Sequence, residues 1–522
     1  MSMPITGPSL EKSVVLSELL SNGLRSNPNA TALATAEMSW TWRELEDVSS
    51  RMAANLIALG LHPGDRAASL MPNRTALVIF YLACIKAGLV ATPLNYRYQA
   101  PEIDHALGVS EAAILLAHVE RDDDLSKSKL VGKLPLGRIT YGATDDRSPS
   151  FQELMQQEPA NSNLPIPAPE SPVFIFFTSG STGKPKGVTH THETFGWMLA
   201  SAILSFELAP DDRFLPGSSV SHIGASLMSL ASLAAGNRVE VARTFDGEEL
   251  LPLLQKTEPT MLCMLPAALY SVVRDHGATR NHFRSLRVCF AGGDKVSAEL
   301  ERQFVDLAGI EIDELYGMSE IGVATVNPPS GTNKVGSIGR LAPGYQASIR
   351  DESGVELPTD TSGRLWIRSP VNTIGYWNRP DATTETIVDG WLDTGDIVRA
   401  DEDEYLWFEG RKKQIIIHDG SNVCPQEVEG SLMEHSSVAA AGVVGVHDQV
   451  HGENVRAYIT LEPGSTHPTT SELIKFSRER VGYKAPEEIV ILDEMPLNAT
   501  GKTDRVALKK LAESAHEVAA PN

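Results

Sequence analysis

A short apolar run followed by Thr, Ser, Gly and Lys residues is the first candidate for chemistry. Val173–Phe177 predicts a buried strand, and the residues TSGSTGKPKG follow it at positions 178–187. Glycines let backbone N–H groups approach a polyphosphate, hydroxyls donate further hydrogen bonds, and lysines supply positive charge. The segment predicts a phosphate-binding loop, whose candidate residues are Thr178, Ser179, Gly180, Ser181, Thr182, Gly183 and Lys186.

This loop departs from the Walker P-loop. That pattern requires its Lys and the following hydroxyl to enter a helix directly. Here Pro185 follows Gly183-Lys184, and the next apolar helical face begins only at Phe195. We therefore expect a mobile loop that closes over a nucleotide while it is bound. The alternative is a solvated Ser/Gly linker.

Two further predicted strands run into polar loops. The first, in LRVCFAGGDKV (286–296), ends at Ala291, and the second, in IEIDELYGMSE (310–320), ends at Leu315. Ligands of open α/β sheets bind beyond the carboxyl ends of strands, so the three loops predict one crevice. The candidate residues in the two later loops are Gly292, Gly293, Asp294, Tyr316, Gly317, Met318, Ser319 and Glu320.

These residue types suit a nucleotide. A Gly-Gly pair lets a flat ring lie against backbone, and Tyr316 would cover its other face. Glu320 is a hard oxygen ligand suited to Mg²⁺ beside phosphates. Taken singly, the Gly-Gly pair also fits a plain turn, and Tyr316 also fits a core position.

Composition limits the class of protein. A chain of 522 residues is too long for one core, so two or more domains are expected. Its formal net charge of −22 argues against nucleic acid or an anionic membrane as partner. An anionic small substrate stays open, because a local cluster of cations can outweigh the global sign.

Compartment and membrane association follow from other features. The cysteines, at 84, 263, 289 and 424, lack the spacing of zinc sites, so we expect unpaired thiols in a reducing compartment. We see no signal peptide at the N-terminus and no run of about 18 apolar residues. These features predict a cytoplasmic protein without stable membrane insertion.

The first half of the chain alternates between helical and strand-like patterns. Residues 43–60 predict a helix, 65–73 a strand, and 76–90 a buried helix that ends at Gly88. This alternation predicts an α/β fold with largely parallel sheets in a large N-terminal domain.

The character of the sequence changes near residue 410. An acidic, turn-rich stretch precedes it, and RKKQIIIHDGSN follows from residue 411. The remainder predicts a small, mobile α+β domain, so we divide the chain into domains 1–411 and 412–522. Its predicted elements are strands at 439–446, 456–461 and 489–492, and helices near 426–435 and 471–481.

Six motifs occur together in a fixed order. They are TSGSTGKPKG, AGGD, YGMSE, WLDTGD (391–396), GRKKQIIIHDGSNVCPQEVE (410–429) and NATGKTDR (498–505). Their order and spacing resemble the acyl-adenylate-forming superfamily, which includes acyl- and aryl-CoA ligases, adenylation domains of peptide synthetases and beetle luciferases. The resemblance covers nearly the whole chain and is closest to the carboxylic acid–CoA ligases.

The resemblance implies a reaction and its cofactors. Family enzymes activate a carboxylate with Mg·ATP to give an acyl-AMP and pyrophosphate, and most pass the acyl group to a thiol. It implies that the loop 178–187 holds the β- and γ-phosphates, that Thr182 and Glu320 serve Mg²⁺, and that Ser319 bonds the α-phosphate. Gly292–Asp294 and Tyr316 would enclose the adenine.

The resemblance also implies roles for residues of the later motifs and of the acyl pocket. The resemblance implies that Asp396 accepts the ribose hydroxyls, with help from Arg411, and that Lys502 stabilises charge at the reacting oxygens. The alternatives are a turn cap for Asp396 and an exposed loop lysine for Lys502. His222 matches the family's position at the mouth of the acyl pocket. Ile223 replaces the Asp that pairs an amino acid's ammonium group, which argues against such a substrate.

For the transfer of the acyl group to a thiol, the sequence departs from the usual family pattern at some positions. The resemblance makes Lys413 the hinge about which the small domain rotates between its two poses. Acyl-CoA ligases commonly have Gly-Gly where this chain has Asp419-Gly420, and Asp where it has Gln414. The leading hypothesis is a ligase joining an aryl or medium-chain acid to coenzyme A.

Two other functions stay open. One is an acyl-AMP ligase that loads a carrier protein or another acceptor. The other is a nucleotide-binding regulator without catalysis, which intact motifs disfavour. The oligomeric state, with a homodimer as one alternative, and the identity of the acid are not determined by the sequence.

Overall fold

The computed structural model describes residues 4–142, 149–161, 163–178, 184–412, 414–418, 421–448, 452–464, 467–498 and 501–519. The strands are Ile5–Thr6 (β1), Thr31–Ala34 (β2), Ser39–Thr41 (β3), Arg66–Leu70 (β4), Val90–Pro93 (β5), Ile114–His118 (β6), Arg138–Tyr141 (β7), Pro172–Phe177 (β8), Gly187–Thr191 (β9), Arg213–Gly217 (β10), Arg238–Glu240 (β11), Met261–Met264 (β12), Val288–Gly292 (β13), Ile312–Met318 (β14), Gly322–Val326 (β15), Arg340–Leu341 (β16), Gln346–Arg350 (β17), Gly363–Arg368 (β18), Gly375–Tyr376 (β19), Ile387–Val388 (β20), Trp391–Ala400 (β21), Leu406–Arg411 (β22), Ile416–His418 (β23), Ser421–Val423 (β24), Val438–Asp448 (β25), Gly452–Leu461 (β26) and Glu488–Ile491 (β27).

The helices connect these strands. The α-helices are Ser21–Ser26 (α1), Trp42–Ala58 (α2), Thr75–Ala87 (α3), Ala100–Ser110 (α4), Asp122–Lys127 (α5), Phe151–Gln156 (α6), His192–Ser205 (α7), Ile223–Ala235 (α8), Gly247–Thr257 (α9), Pro266–Arg274 (α10), Arg280–Phe283 (α11), Ala298–Ala308 (α12), Pro380–Thr386 (α13), Pro425–Met433 (α14), Thr470–Val481 (α15) and Arg505–Ala519 (α16). Short 3₁₀ turns lie at Leu16–Glu18, Val119–Arg121, Val131–Lys133 and Gly482–Lys484.

Two large sheets form the centre of the molecule. In the described part of the chain, one has nine strands in the order β16-β15-β14-β13-β12-β10-β11-β2-β3. The other has seven, in the order β19-β9-β8-β5-β4-β6-β7. Strands β14 to β2 of the first and β8 to β7 of the second are parallel. The predicted α/β class with mostly parallel sheets is confirmed.

Two smaller sheets complete the fold. Strands β1, β17, β18, β21, β20 and β22 pair antiparallel in a third sheet. Beyond it, β24, β23, β26, β25 and β27 form a sheet that α14, α15 and α16 cover. This last unit has the α+β character that the sequence predicts for the C-terminal end.

Local sequence explains the central helices. Helix α2 begins with a capping box, in which Thr41 and Glu44 exchange side-chain and backbone hydrogen bonds. Helix α3 is apolar on every side and buried along its whole length, since it lies within the largest core. It ends at Gly88, whose φ of 68° is left-handed. The predicted helices 43–60 and 76–90 are therefore present with slightly shorter bounds.

The sequence misjudged two segments. The stretch before residue 410 was expected to be rich in turns, but it forms β21 and β22. Residues in β21 alternate between buried and less buried positions, as a strand with one face on a core does. Strand β14 also continues past Leu315 to Met318, because a register shift at Tyr316/Gly317 lets it keep pairing with β15.

Among the described residues, no helix is long and apolar enough to cross a membrane. The four cysteines are unpaired, as predicted.

Candidate functional site

A cavity of about 510 Å³ opens where loops of the nine- and seven-stranded sheets meet the start of the C-terminal unit. Eleven of the predicted residues line it: Thr178, Lys186, His222, Gly292, Gly293, Gly317, Met318, Ser319, Glu320, Arg411 and Lys502. The three strand-ending loops thus share one crevice, as predicted. They come from two different sheets, because β8 belongs to one and β13 and β14 to the other.

Some predicted residues lie elsewhere. Asp396 is fully buried behind the cavity, Tyr316 is buried beside it, and Asp294 is exposed near its rim. Ser179, Gly180, Ser181, Thr182, Gly183, Lys413 and Asp419 lie outside the described residues. Their predicted roles stay predictions.

Asp396 is the centre of a buried hydrogen-bonded group. The hydroxyl of Tyr316 donates to its Oδ2 at 2.6 Å, and Nε of Arg411 donates to its Oδ1 at 3.0 Å. Strands β21 and β22 pair Asp396 directly with Arg411. Burial raises the pKa of Asp396, and Arg411 opposes that shift. A carboxylate acceptor is therefore held rigidly next to the cavity.

Tyr316 is oriented by this contact. Its hydroxyl is committed to Asp396, and its ring is 8% exposed with Phe408 6.4 Å away between ring centroids. The described side chain is thus a fixed wall beside Gly317 rather than a lid. Its predicted contact with adenine is untested.

Glu320 is held by Tyr376, a residue outside the six motifs. The Tyr376 hydroxyl donates to Oε1 of Glu320 at 2.8 Å, and Nζ of Lys186 lies 3.9 Å from the centre of the Tyr376 ring. Burial raises the pKa of Glu320, and the Tyr376 hydrogen bond and the Lys186 charge oppose this shift. One aromatic ring therefore places an anion and a cation on the same wall of the cavity.

His190 performs a similar task for Ser319. Its ring Nε2 donates to the Ser319 carbonyl oxygen at 2.8 Å from strand β9. Burial lowers the pKa of His190 to about 4, so the ring is neutral at physiological pH. This contact anchors the YGMSE segment against the strand that follows the predicted phosphate-binding loop.

Lys502 comes from the far end of the chain. Its loop is closed by a hydrogen bond from the Asn498 amide to the Lys502 carbonyl, at 2.8 Å. Its Nζ lies 3.4 Å from the position that a Cβ on Gly293 would occupy. Burial lowers the pKa of Lys502, while Asp294 and Asp396 favour its charged form. A cation from the C-terminal unit thus reaches a cavity built by the N-terminal sheets.

Two glycines in the cavity wall occupy positions where a larger residue does not fit. A Cβ at Gly317 would collide with the carbonyl oxygen of Gly322 on the paired strand. Gly293 has a φ of 86°, a conformation that side chains disfavour. Both positions therefore require glycine for a local structural reason.

A second part of the cavity wall, here called the apolar end, is lined mainly by apolar side chains. Its lining comes from the start of α8 and the end of β12: Ile223, Gly224, Ala225, Leu227, Met228, Cys263, Met264 and Leu265. His222, which precedes α8, is the polar group at its edge. The pKa of His222 is lowered to about 4, mainly because the ring is buried and also because Lys502 and Arg97 are nearby charges.

Three contributing residues were missed in the sequence: Tyr376, His190 and Asn95. Tyr376 lies in GYWNRP and His190 in GVTHTH, and each contacts its partner across many residues of chain. Asn95 follows β5 and contacts the His222 ring. His190 stands between Thr189 and Thr191 in β9, so its local sequence gave no signal.

Comparison with known proteins gives a consistent result. The family model described as AMP-binding enzyme matches residues 20–377, and that of the AMP-binding enzyme C-terminal domain matches residues 427–502. The predicted resemblance to adenylate-forming enzymes is confirmed.

Individual relatives cover nearly the whole chain. A feruloyl-CoA synthase of Amycolatopsis sp is 33% identical over 92% of this chain and 95% of its own length. A fatty acid–[acyl-carrier-protein] ligase, ScoC, of Streptomyces coeruleorubidus is 31% identical over 92% of this chain and 93% of its own. The crystal structure of ATP-bound MatB from Rhodopseudomonas palustris superposes with a TM-score of 0.88 at 25% identity, covering 97% of this chain and all of that one.

Proposed function

The chain belongs to the AMP-binding enzyme family, and from this membership and the cavity we propose that it is an AMP-forming acid–thiol ligase. A carboxylate oxygen attacks the α-phosphorus of ATP, and pyrophosphate leaves. The thiol sulfur of coenzyme A then attacks the acyl carbon, AMP leaves, and the thiol proton is released.

The position of Lys502 carries this proposal. The reaction develops charge on oxygens of the carboxylate and the α-phosphate, and a fixed cation in a closed cavity stabilises such charge. Lys502 reaches the cavity beside Gly293, and Lys186 lies on the wall near Glu320. We assign both lysines to charge stabilisation.

ATP would occupy the charged end of the cavity. We propose that Asp396, preorganised by Tyr316 and Arg411, accepts the ribose hydroxyls. The adenine would lie against Gly292, Gly293 and Asp294, with Tyr316, Gly317 and Met318 on the next strand. The hydroxyl of Ser319 would bond the α-phosphate, and the loop 178–187 would hold the β- and γ-phosphates.

Magnesium fits the same end. Mg²⁺ usually takes one or two carboxylates together with substrate phosphates and waters. Glu320 is such a carboxylate, and among the described residues no cluster of three or more metal-ligating side chains offers another site. We propose that Glu320, with Thr182, holds the ion, which neutralises phosphate charge when bound.

The acid would bind at the apolar end. Its lining residues offer apolar contact, and Ile223 offers no charge to an α-ammonium group. We propose an aryl or medium-chain acid, and the similarity to a feruloyl-CoA synthase supports the aryl alternative.

The acceptor of the acyl group is a thiol. Coenzyme A is our first choice, and a carrier protein is the alternative, supported by the similarity to the carrier-protein ligase ScoC. Transfer would require the unit 412–522 to rotate about Lys413 relative to 1–411. The change from the six-stranded sheet at Arg411 to the C-terminal sheet at Ile416 supports that division. We place the enzyme in the cytoplasm, where unpaired thiols persist.

Pyrophosphate release over a panel of carboxylic acids tests the first half-reaction. We expect release with aryl or medium-chain acids and none with α-amino acids. Thioester formation is then measured with coenzyme A and with a phosphopantetheinylated carrier protein. Acid-dependent pyrophosphate release without any coenzyme A thioester would refute the coenzyme A assignment and leave the adenylation intact.

A further inference from the structure

Asn95 contacts His222, a residue that lines the cavity. It follows β5 by two residues and is 7% exposed. Its Nδ2 lies 3.4 Å from Nε2 of His222, and the two residues are 127 positions apart in the chain. A buried amide against a cavity-lining ring is a specific arrangement, because the group that the amide turns toward the ring limits the protonation of the ring.

The backbone determines which way the Asn95 amide points. The amide N–H of Arg97 donates to Oδ1 of Asn95 at 2.9 Å. Only an oxygen accepts this hydrogen bond, so the NH₂ group must be the atom that faces the His222 ring. A second turn contact, from the Tyr98 amide to the Asn95 carbonyl at 3.0 Å, keeps this segment rigid.

The NH₂ group in turn selects one form of His222. An NH₂ donor facing Nε2 requires Nε2 to accept, which excludes a proton on that nitrogen and therefore excludes imidazolium. Burial and the neighbouring charges of Lys502 and Arg97 also favour the neutral ring, by lowering its pKa to about 4. The single ring proton must then be on Nδ1.

The Nδ1 atom is available to a ligand. The His222 side chain does not cap α8, although its residue precedes that helix. Within the described ranges the ring's contact is with Asn95, and His222 lines the cavity whereas Asn95 does not. The ring thus has its Nε2 turned to protein and its other nitrogen open to the cavity.

We propose that Asn95 is a positioning residue that holds His222 in its Nδ1–H tautomer, so that a neutral N–H donor faces the carboxylic acid. This inference rests on the proposed function for its substrate. The donor would hydrogen-bond an oxygen of the acid beside Lys502, and no proton is transferred.

The tautomer is tested directly by NMR of protein labelled with ¹⁵N in the histidine rings. His222→Gln identifies the His222 signals among the 14 histidines. At neutral pH we expect a protonated Nδ1 and an unprotonated Nε2 in the wild type. Asn95→Asp puts an acceptor in place of the donor and should move the proton to Nε2. Asn95→Leu removes the donor without adding charge and should give a mixture of tautomers.

Asn73→Asp is the matched control. Asn73 is another buried amide, which bonds the backbone of Ser218 and Val220 just before His222. The same change there should leave the tautomer as it is. The proposal is overturned if the wild type carries its proton on Nε2, if Asn95→Asp leaves it on Nδ1, or if Asn73→Asp also reverses it.

Kinetics test what the tautomer does. Loss of a hydrogen bond to a charged oxygen should raise KM for the acid about tenfold in Asn95→Asp, with KM for ATP nearly unchanged. In Asn95→Leu the rise should be only about twofold, because part of the population keeps the proton on Nδ1. Unchanged acid KM despite a reversed tautomer would overturn the role toward substrate. If the wild type activates no acid, the proposed function fails, while the NMR result still decides the tautomer.

Discussion

The two ends of the cavity are built in opposite ways. At the charged end, Asp396 and Glu320 are buried anions, each held by a tyrosine hydroxyl and a nearby cation. At the apolar end, the lining is aliphatic, with one neutral histidine at its edge. One end is organised by directional hydrogen bonds and the other by shape.

Burial acts on the two ends with opposite consequences. It raises the pKa of the carboxyl groups of Glu320 and Asp396 and lowers that of His222, because it disfavours the charged form of each. The charged end therefore requires partners that offset desolvation, and the bound nucleotide and its ion would add to them. The groups of the apolar end are uncharged, so their burial requires no such partners. The following predictions test this contrast, from the largest effect to the smallest.

Replacing Lys502 with Ala should have the largest effect. It removes the cation proposed to stabilise the transition state, so the adenylation rate should fall roughly 100- to 1000-fold. ATP affinity should change little. Pyrophosphate release measures the adenylation rate, and calorimetry measures the ATP affinity. Lys509→Ala, on an exposed position of α16, is the control. Wild-type turnover in Lys502→Ala would refute the assignment.

Asp396→Asn should weaken ATP binding by roughly ten- to hundredfold. The amide cannot accept from Tyr316, Arg411 and a ribose together, and hydrogen bonds to charged groups are among the stronger ones. Calorimetric titration with ATP gives the affinity, and Asp403→Asn, on an exposed carboxylate, is the control. Equal ATP affinity in the two variants would show that Asp396 has only a structural role.

Two substitutions of Tyr376 separate the contribution of its hydroxyl group from that of its ring. Tyr376→Phe removes the hydroxyl on Glu320 and keeps the ring beside Lys186, so kcat/KM for Mg·ATP should fall roughly five- to tenfold. Tyr376→Leu removes both contacts and should cost more. Steady-state kinetics at varied Mg·ATP compare them. Identical losses in the two variants would mean that the hydroxyl accounts for the whole effect and that the ring beside Lys186 adds nothing.

The burial of neutral His222 should make the unfolding free energy depend on pH. His222 has a pKa of about 4 in the folded protein against an ordinary value of 6.5. Between these values the unfolded chain binds a proton that the folded protein does not, so this contribution to stability is lost as pH falls through that window. His222→Gln should reduce the loss of unfolding free energy on acidification by an amount on the order of 1 kcal/mol.

Denaturant titrations at several pH values measure this effect. His190 and His192 have similarly lowered pKa values, of about 4, so the variant should retain part of the acid sensitivity. An unchanged pH dependence in His222→Gln would mean that the His222 ring is not buried in its neutral form.

The sequence predicted much of this site because its motifs are contiguous. Lys186, Glu320 and Lys502 were each recognised inside a short motif, and all line the cavity. Tyr376, His190 and Asn95 were missed, because each matters only through a partner 56 to 129 residues away. Strand β21 was missed for a related reason: its polar and glycine residues resemble a turn until pairing with β18 and β22 satisfies the backbone.

The amino-acid sequence by itself determined the α/β class and the family, and it predicted the phosphate-binding loop and the residues of the charged end. Those features depend on residues that are close in sequence or on strand-ending loops whose position follows from parallel sheets. The tertiary structure alone decided which tyrosine holds Glu320, that Asp396 is buried, and how His222 is oriented. Burial and hydrogen-bond partners depend on surfaces that only long-range packing brings together, and they set both the charge and the orientation of each group.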